Sequence, residues 1–245
     1  MGVRDPEGGK WGGRPVRRAR ITNQDQLESR NLRTPRAAAV AGIIFAALLI
    51  TALVLLRLSA PAHASAPGAW LASPGNRAEL AFALNLVPFA GIAFLWFVGV
   101  LRDRIGERED RFFATVFLGS GLLFVAMMFV AAAVAGATIV VAGSGLPGAD
   151  TLALSRNVTG SLLNVYAMRM AAVFTLTTVN IARRTRFVSS WLIYAGLACA
   201  VVLLIGSGIS PWVELVFPVW ILALSLEILV TRGRASANPA GEHHA

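Results

Sequence analysis

The sequence predicts an all-α fold, a polytopic transmembrane helical bundle of six spans with both termini cytoplasmic. Three observations predict it. Six apolar stretches, Ala37–Ala60, Leu80–Leu101, Phe112–Val141, Thr159–Ala182, Ser190–Ile205 and Pro211–Val230, alternate with short polar gaps. Arginines collect in every second gap. The composition, 56% hydrophobic and only 14% charged, is not that of a soluble chain. A helix needs about 20 mainly apolar residues to cross the hydrocarbon core. Most of the stretches meet that length, the fifth is short, and the third is long enough to tilt.

The leader, Met1–Arg36, is polar, and its Gly8, Gly9, Gly12, Gly13 and Pro15 predict disorder. It holds Arg4, Lys10, Arg14, Arg17, Arg18, Arg20, Arg30, Arg33 and Arg36. Arg102, Arg104, Arg108 and Arg111 fall between spans two and three, Arg183, Arg184 and Arg186 between four and five, and Arg232 and Arg234 after six. The other gaps hold only Arg57 and Arg77, then Arg156, then none. Basic residues are retained on the cytoplasmic side during insertion, so this asymmetry sets the orientation. The domain reading is a disordered basic cytoplasmic tail over 1–36, a six-helix transmembrane domain over 37–231 and a short cytoplasmic tail over 232–245. The net charge of +9 is mostly that topology signal. Arg17, Arg18 and Arg20 also suit anionic membrane lipid. With Trp11 as the tail's one aromatic and no recognisable module, nucleic acid is not an expected partner.

After the first span, Ala60-Pro61-Ala62-His63-Ala64 has the small residues of a signal-peptidase site. The apolar run before it exceeds a signal-peptide core and the leader is long, so the expectation is an uncleaved anchor rather than cutting after Ala64.

Several chemistries are excluded by missing residues. Cys199, inside span five, is the sole cysteine, which rules out an internal disulfide and a thiolate cluster. The histidines, His63, His243 and His244, lie outside the spans, so no bis-histidine haem sits in the membrane. Gly143-Ser144-Gly145 is similar to the serine motif of intramembrane rhomboid proteases, but no intramembrane histidine is there to take the proton, and it reads as a glycine-rich turn. Phosphate-binding and dinucleotide motifs are missing. Asn157-Val158-Thr159 fits a glycosylation sequon, which matters only in a eukaryotic secretory setting. No enzyme activity, cofactor or metal is expected.

Polar residues at membrane depth supply the candidate site. Arg169 lies ~21 Å above Arg183 at 1.5 Å per residue, and an arginine there is costly unless it faces the bundle or a wet cavity. By the same count Glu214 lies ~27 Å above Arg232, Asn85 ~25 Å above Arg102 and Asn164 ~28 Å above Arg183. The expected cluster is Arg169, Glu214, Asn85 and Asn164 between spans two, four and six, either an anion or proton site or a structural ion pair, the other reading being an Arg169 that snorkels to the outer headgroups. Glu227, nearer the cytoplasm, is a poorer partner. Pro88 and Pro218 are expected to kink spans two and six. Gly119, Gly121, Ala132 and Gly136 have the spacing of a close helix contact. The loop Arg102–Arg111 mixes both signs densely, as a solvated turn or a docking site for a partner.

The stretch Leu86–Phe124 (LVPFAGIAFLWFVGVLRDRIGEREDRFFATVFLGSGLLF) resembles uncharacterised multi-span membrane proteins of high-GC Gram-positive bacteria. The resemblance covers spans two and three and implies a cell (inner) membrane protein, with no activity or site attached. The functional expectation is a small transporter-like protein or an accessory subunit of a membrane complex. The alternative is a structural or sensory protein without a transported substrate. Membrane lipid, a membrane-protein partner or a homo-oligomer are the expected contacts.

Overall fold

Lipid offers no hydrogen bonds to the backbone, so long apolar segments satisfy their amides internally as helices. The computed structural model describes the backbone of residues 16–59, 69–105, 111–145, 147–185, 188–206 and 209–236. All regular structure among them is helical: α1 (Val16–Ser59), α2 (Pro74–Ile105), α3 (Arg111–Ser144), α4 (Ala149–Gly160), α5 (Met168–Thr185), α6 (Ser190–Ile205) and α7 (Val216–Ser236). Five segments are long and apolar enough to cross a membrane: Arg36–Leu58, Pro74–Arg102, Phe112–Ser144, Ala149–Arg184 and Trp212–Thr231. The apolar helix α6 is shorter, at 16 residues. The expected brevity of the fifth stretch is therefore seen.

The chain divides into two compact units, Met1–Thr34 and Pro35–Ala245, two residues from the expected domain boundary. The division falls at Pro35, which has no amide hydrogen to donate. Helical backbone begins at Val16, inside the leader expected to be disordered. Gln24, Gln26, Leu27, Glu28, Arg30, Leu32 and Arg33 are good helix formers, which accounts for the difference. At the other end α7 reaches Ser236, past the expected limit of the membrane domain. The Ala60–Ala64 string lies outside the described residues, as do the middle of the charged loop after α2 and the C-terminal histidines.

Phenylalanines hold the second unit together. Phe45 of α1, Phe94 of α2, Phe124 of α3, Phe174 of α5 and Phe217 of α7 are all fully buried. Phe94 is the hub, with ring centroids 4.7 Å from Phe45, 5.3 Å from Phe124, 5.1 Å from Phe174 and 5.8 Å from Phe217. Tilted and edge-to-face rings at such separations attract beyond simple contact. The five long spans thus converge on one aromatic centre. Helix α6 lacks phenylalanine and lies over the seam between α5 and α7, where Gly196 meets Val179 and Trp220. Helix α1 closes against α2 and α7 at Gly42, where an added Cβ would stand 2.9 Å from Phe97 and 2.1 Å from the Ser225 hydroxyl.

Among the small residues of α3, Gly121 does pack closely, with its Cβ position 3.3 Å from Phe174. Gly119 and Gly136 face open space. Helix α2 runs unbroken through Pro88. Pro218 sits in the first turn of α7 rather than mid-span. A continuous α-helix would need its missing amide hydrogen to reach the Glu214 carbonyl, and the segment before it, Pro211–Leu215, is a 3-10 turn instead.

The close approach at Gly42 predicts that Gly42→Val destabilises the protein by roughly 2 kcal/mol or more, while Gly119→Ala stays within about 0.5 kcal/mol. Thermal unfolding in mild detergent reads both; equal midpoints for the two variants would contradict this packing.

Candidate functional site

Glu214 has a partner other than the one expected from depth. Its Oε2 accepts a hydrogen bond from Arg57 Nη2 at 2.9 Å, joining the last turn of α1 to the 3-10 turn ahead of α7. The carboxylate is 2% exposed and the arginine side chain 33%. Both ends suit their charges, since a cation favours a helix C-terminus and an anion an N-terminus. Glu214 is three residues from Phe217, so the pair roofs the aromatic centre. Glu214 Oε1 is buried and has no hydrogen-bond partner among the described residues.

Arg169 is not at this site. It is exposed on the first turn of α5 and makes no ion pair among the described residues. Asn85 is exposed on α2, its amide donating to the Ala81 carbonyl of its own helix at 2.9 Å. Asn164 donates to the Gly160 carbonyl at 3.0 Å. It lies in the π-helical segment Ser161–Ala167 that joins α4 to α5, where such a side-chain bond competes with the regular ladder. The expected four-residue cluster is thus distributed: Glu214 inside with Arg57, Arg169 and Asn85 outside, Asn164 on its own helix. Counting residues gives depth but not azimuth, and the sequence places Arg57 in the gap after span one. From the last turn of α1 its guanidinium reaches the carboxylate while staying one-third exposed.

Several other polar groups have local work, while the Thr159 and Ser225 hydroxyls are buried without a hydrogen-bond partner among the described residues. Glu227 accepts from the Ser189 amide at 2.5 Å and from the Ser189 hydroxyl at 2.9 Å, so a carboxylate of α7 caps the positive end of α6. Thr175, Thr177 and Thr178 donate to carbonyls of α5 one turn back. Ser144, the last residue of α3, donates to the Val141 carbonyl at 2.9 Å. Arg77 donates to the Leu71 and Ala72 carbonyls. The guanidinium of Arg184 lies 5.1 Å from the Phe113 ring centroid. Groups of three metal-ligating side chains are not found among the described residues.

The class defined by this fold is an integral membrane helical bundle. No protein-family model, curated protein or solved structure matches the chain.

Removing one member of a buried ion pair strands the other, at about 3–5 kcal/mol. Arg57→Met is therefore expected to destabilise strongly, and Arg57→Met with Glu214→Leu to recover most of the loss. Arg169→Ala with Glu214→Leu should be additive. Thermal unfolding of the single and double variants checks both cycles.

Proposed function

We propose that this chain is a six-span protein of the cell membrane, both termini cytoplasmic, serving as a non-enzymatic accessory subunit of a membrane complex. Membership of the multi-span family that Leu86–Phe124 resembles is part of the proposal. The positive-inside arginines favour this orientation, and the contacts between helix ends fit spans that alternate in direction. Arg57 at the end of α1 meets the start of α7, and the start of α6 meets the later turns of α7. Alternating up and down helices produce such meetings.

One observation carries the accessory role: Arg169 lies on the outside of the bundle, midway along the Ala149–Arg184 segment. A bare guanidinium at that depth costs ~2.5–3.5 kcal/mol on insertion scales, so a group beyond this chain answers it. The opposite charge that suits it is a carboxylate on a partner's span. The bundle centre is filled by phenylalanine, which suits a packed subunit better than a rocking carrier.

A small transporter-like role has one observation in its favour, the unpartnered Glu214 Oε1 beside a partly exposed Arg57. Native mass spectrometry after gentle extraction separates the two. The accessory reading expects a co-purifying membrane protein that is lost on Arg169→Ala and kept on Arg156→Ala. A lone chain holding a small molecule that Glu214→Gln releases would instead establish the transporter reading. The same spectrum should give the mass of a chain uncut after Ala64, because Phe45 and Arg57 of α1 are built into the core and its roof.

A further inference from the structure

Helix α2 carries two seams. Leu80, Ala83, Val87, Ala90, Phe94 and Phe97 step by three and four residues and are buried in the bundle. Phe82, Asn85, Phe89, Ile92, Trp96 and Gly99 repeat the same steps on the outward side and are exposed, Trp96 at 72% and Phe89 at 63%. Alternating three-four spacing is a 3.5-residue repeat, which keeps a seam facing a partner helix along a left-handed supercoil.

Asn85 separates this seam from a plain lipid-facing surface. It lies about 9 Å further into the membrane than Glu79, at six residues of helix. One amide hydrogen reaches Ala81. The side-chain carbonyl and the second amide hydrogen have no partner among the described residues. In lipid such groups seek a hydrogen bond across a helix interface.

We propose that the outward seam of α2 is the contact with a second copy of this chain, α2 against α2 in parallel about a two-fold axis. A two-fold axis sets each seam residue against its own copy. An arginine or carboxylate would be repelled there, but an amide carries both donor and acceptor and satisfies itself. Copies inserted in the same orientation hold their α2 helices parallel, as the pairing requires. The polar residue in an otherwise apolar seam also fixes the register. Phe89, Ile92 and Trp96 supply the packing. Gly99, where an added Cβ meets nothing within 4 Å, lets the two backbones approach at the cytoplasmic end. The pairing is independent of whether Arg169 recruits another protein.

The test is oxidative cross-linking of the purified full chain in phosphatidylcholine vesicles, with the sole cysteine removed by Cys199→Ala. Ile92→Cys and Phe89→Cys should give disulfide-linked dimers, several-fold above Val140→Cys on α3 and Tyr194→Cys on α6, both strongly exposed. Adding Asn85→Leu should weaken association about tenfold, and Asn85→Gln should restore most of it. Equal cross-linking at Val140 and Tyr194, or full dimer formation with Asn85→Leu, overturns the proposal. Asn85 is exposed, so the leucine variant tests association rather than folding.

Discussion

Everything in the membrane unit leans on the packing around Phe94. Between helices in lipid there is no hydrophobic driving force, because the acyl chains are as apolar as the side chains. Association then depends on close contact, and broad rigid rings give the most contact for the fewest torsions fixed. Phe94 touches rings from four other helices, so removing it would loosen five spans at once. The glycine contacts are consequences of this centre. Gly42 lets α1 come near enough for Phe45 to reach Phe94, and Gly121 lies against Phe174.

The ion pair follows from the same arrangement. Once Phe217 is drawn to the centre, Glu214 is carried into the bundle with it, below the end of α1. A buried carboxylate there requires a cation. Arg57 is the basic residue whose side chain runs down the right helix. Pro211 and Pro218 bracket the segment and keep it in a 3-10 turn, which sets the direction of the Glu214 side chain. The pair is thus tied to backbone chemistry readable in the sequence, although the identity of the partner is not.

The long apolar runs marked the spans to within a few residues at several ends, because their length is a property of the bilayer and not of tertiary contacts. The brevity of α6 is equally visible, whereas the spacing of the small residues in α3 does not tell Gly121, which packs, from Gly119 and Gly136, which do not. The aromatic centre was not. Phe45, Phe94, Phe124, Phe174 and Phe217 sit in runs so uniformly apolar that no periodicity marks an inward face. The recurrence of phenylalanine in each long span was the available signal. Arg169 and Glu214 were matched by depth, and depth is half of a helical position; the other half, rotation about the axis, is set by which ring faces the centre. The helix from Val16 was hidden by the glycine-rich residues before it, whose composition does not extend past Pro15.

Ordinary membrane bundles put their polar residues inside, facing each other or a cavity. Here the inside is mostly apolar, its polar groups being the hydroxyls of Ser120, Thr175, Thr177, Thr178 and Ser225 and the roofed ion pair, while Arg169 and Asn85 face outward. A polar side chain facing hydrocarbon has a physical cost. An arginine at this depth is answered by an opposite charge, by carbonyl oxygens or by snorkelling to the headgroups. An asparagine carries both donor and acceptor, so two copies of it can pair with each other. The two residues therefore differ in what they ask of their surroundings, and their positions on α5 and α2 allow both demands to be met together. A bundle built this way has its closest packing at the centre and carries Arg169 and Asn85 on its outside.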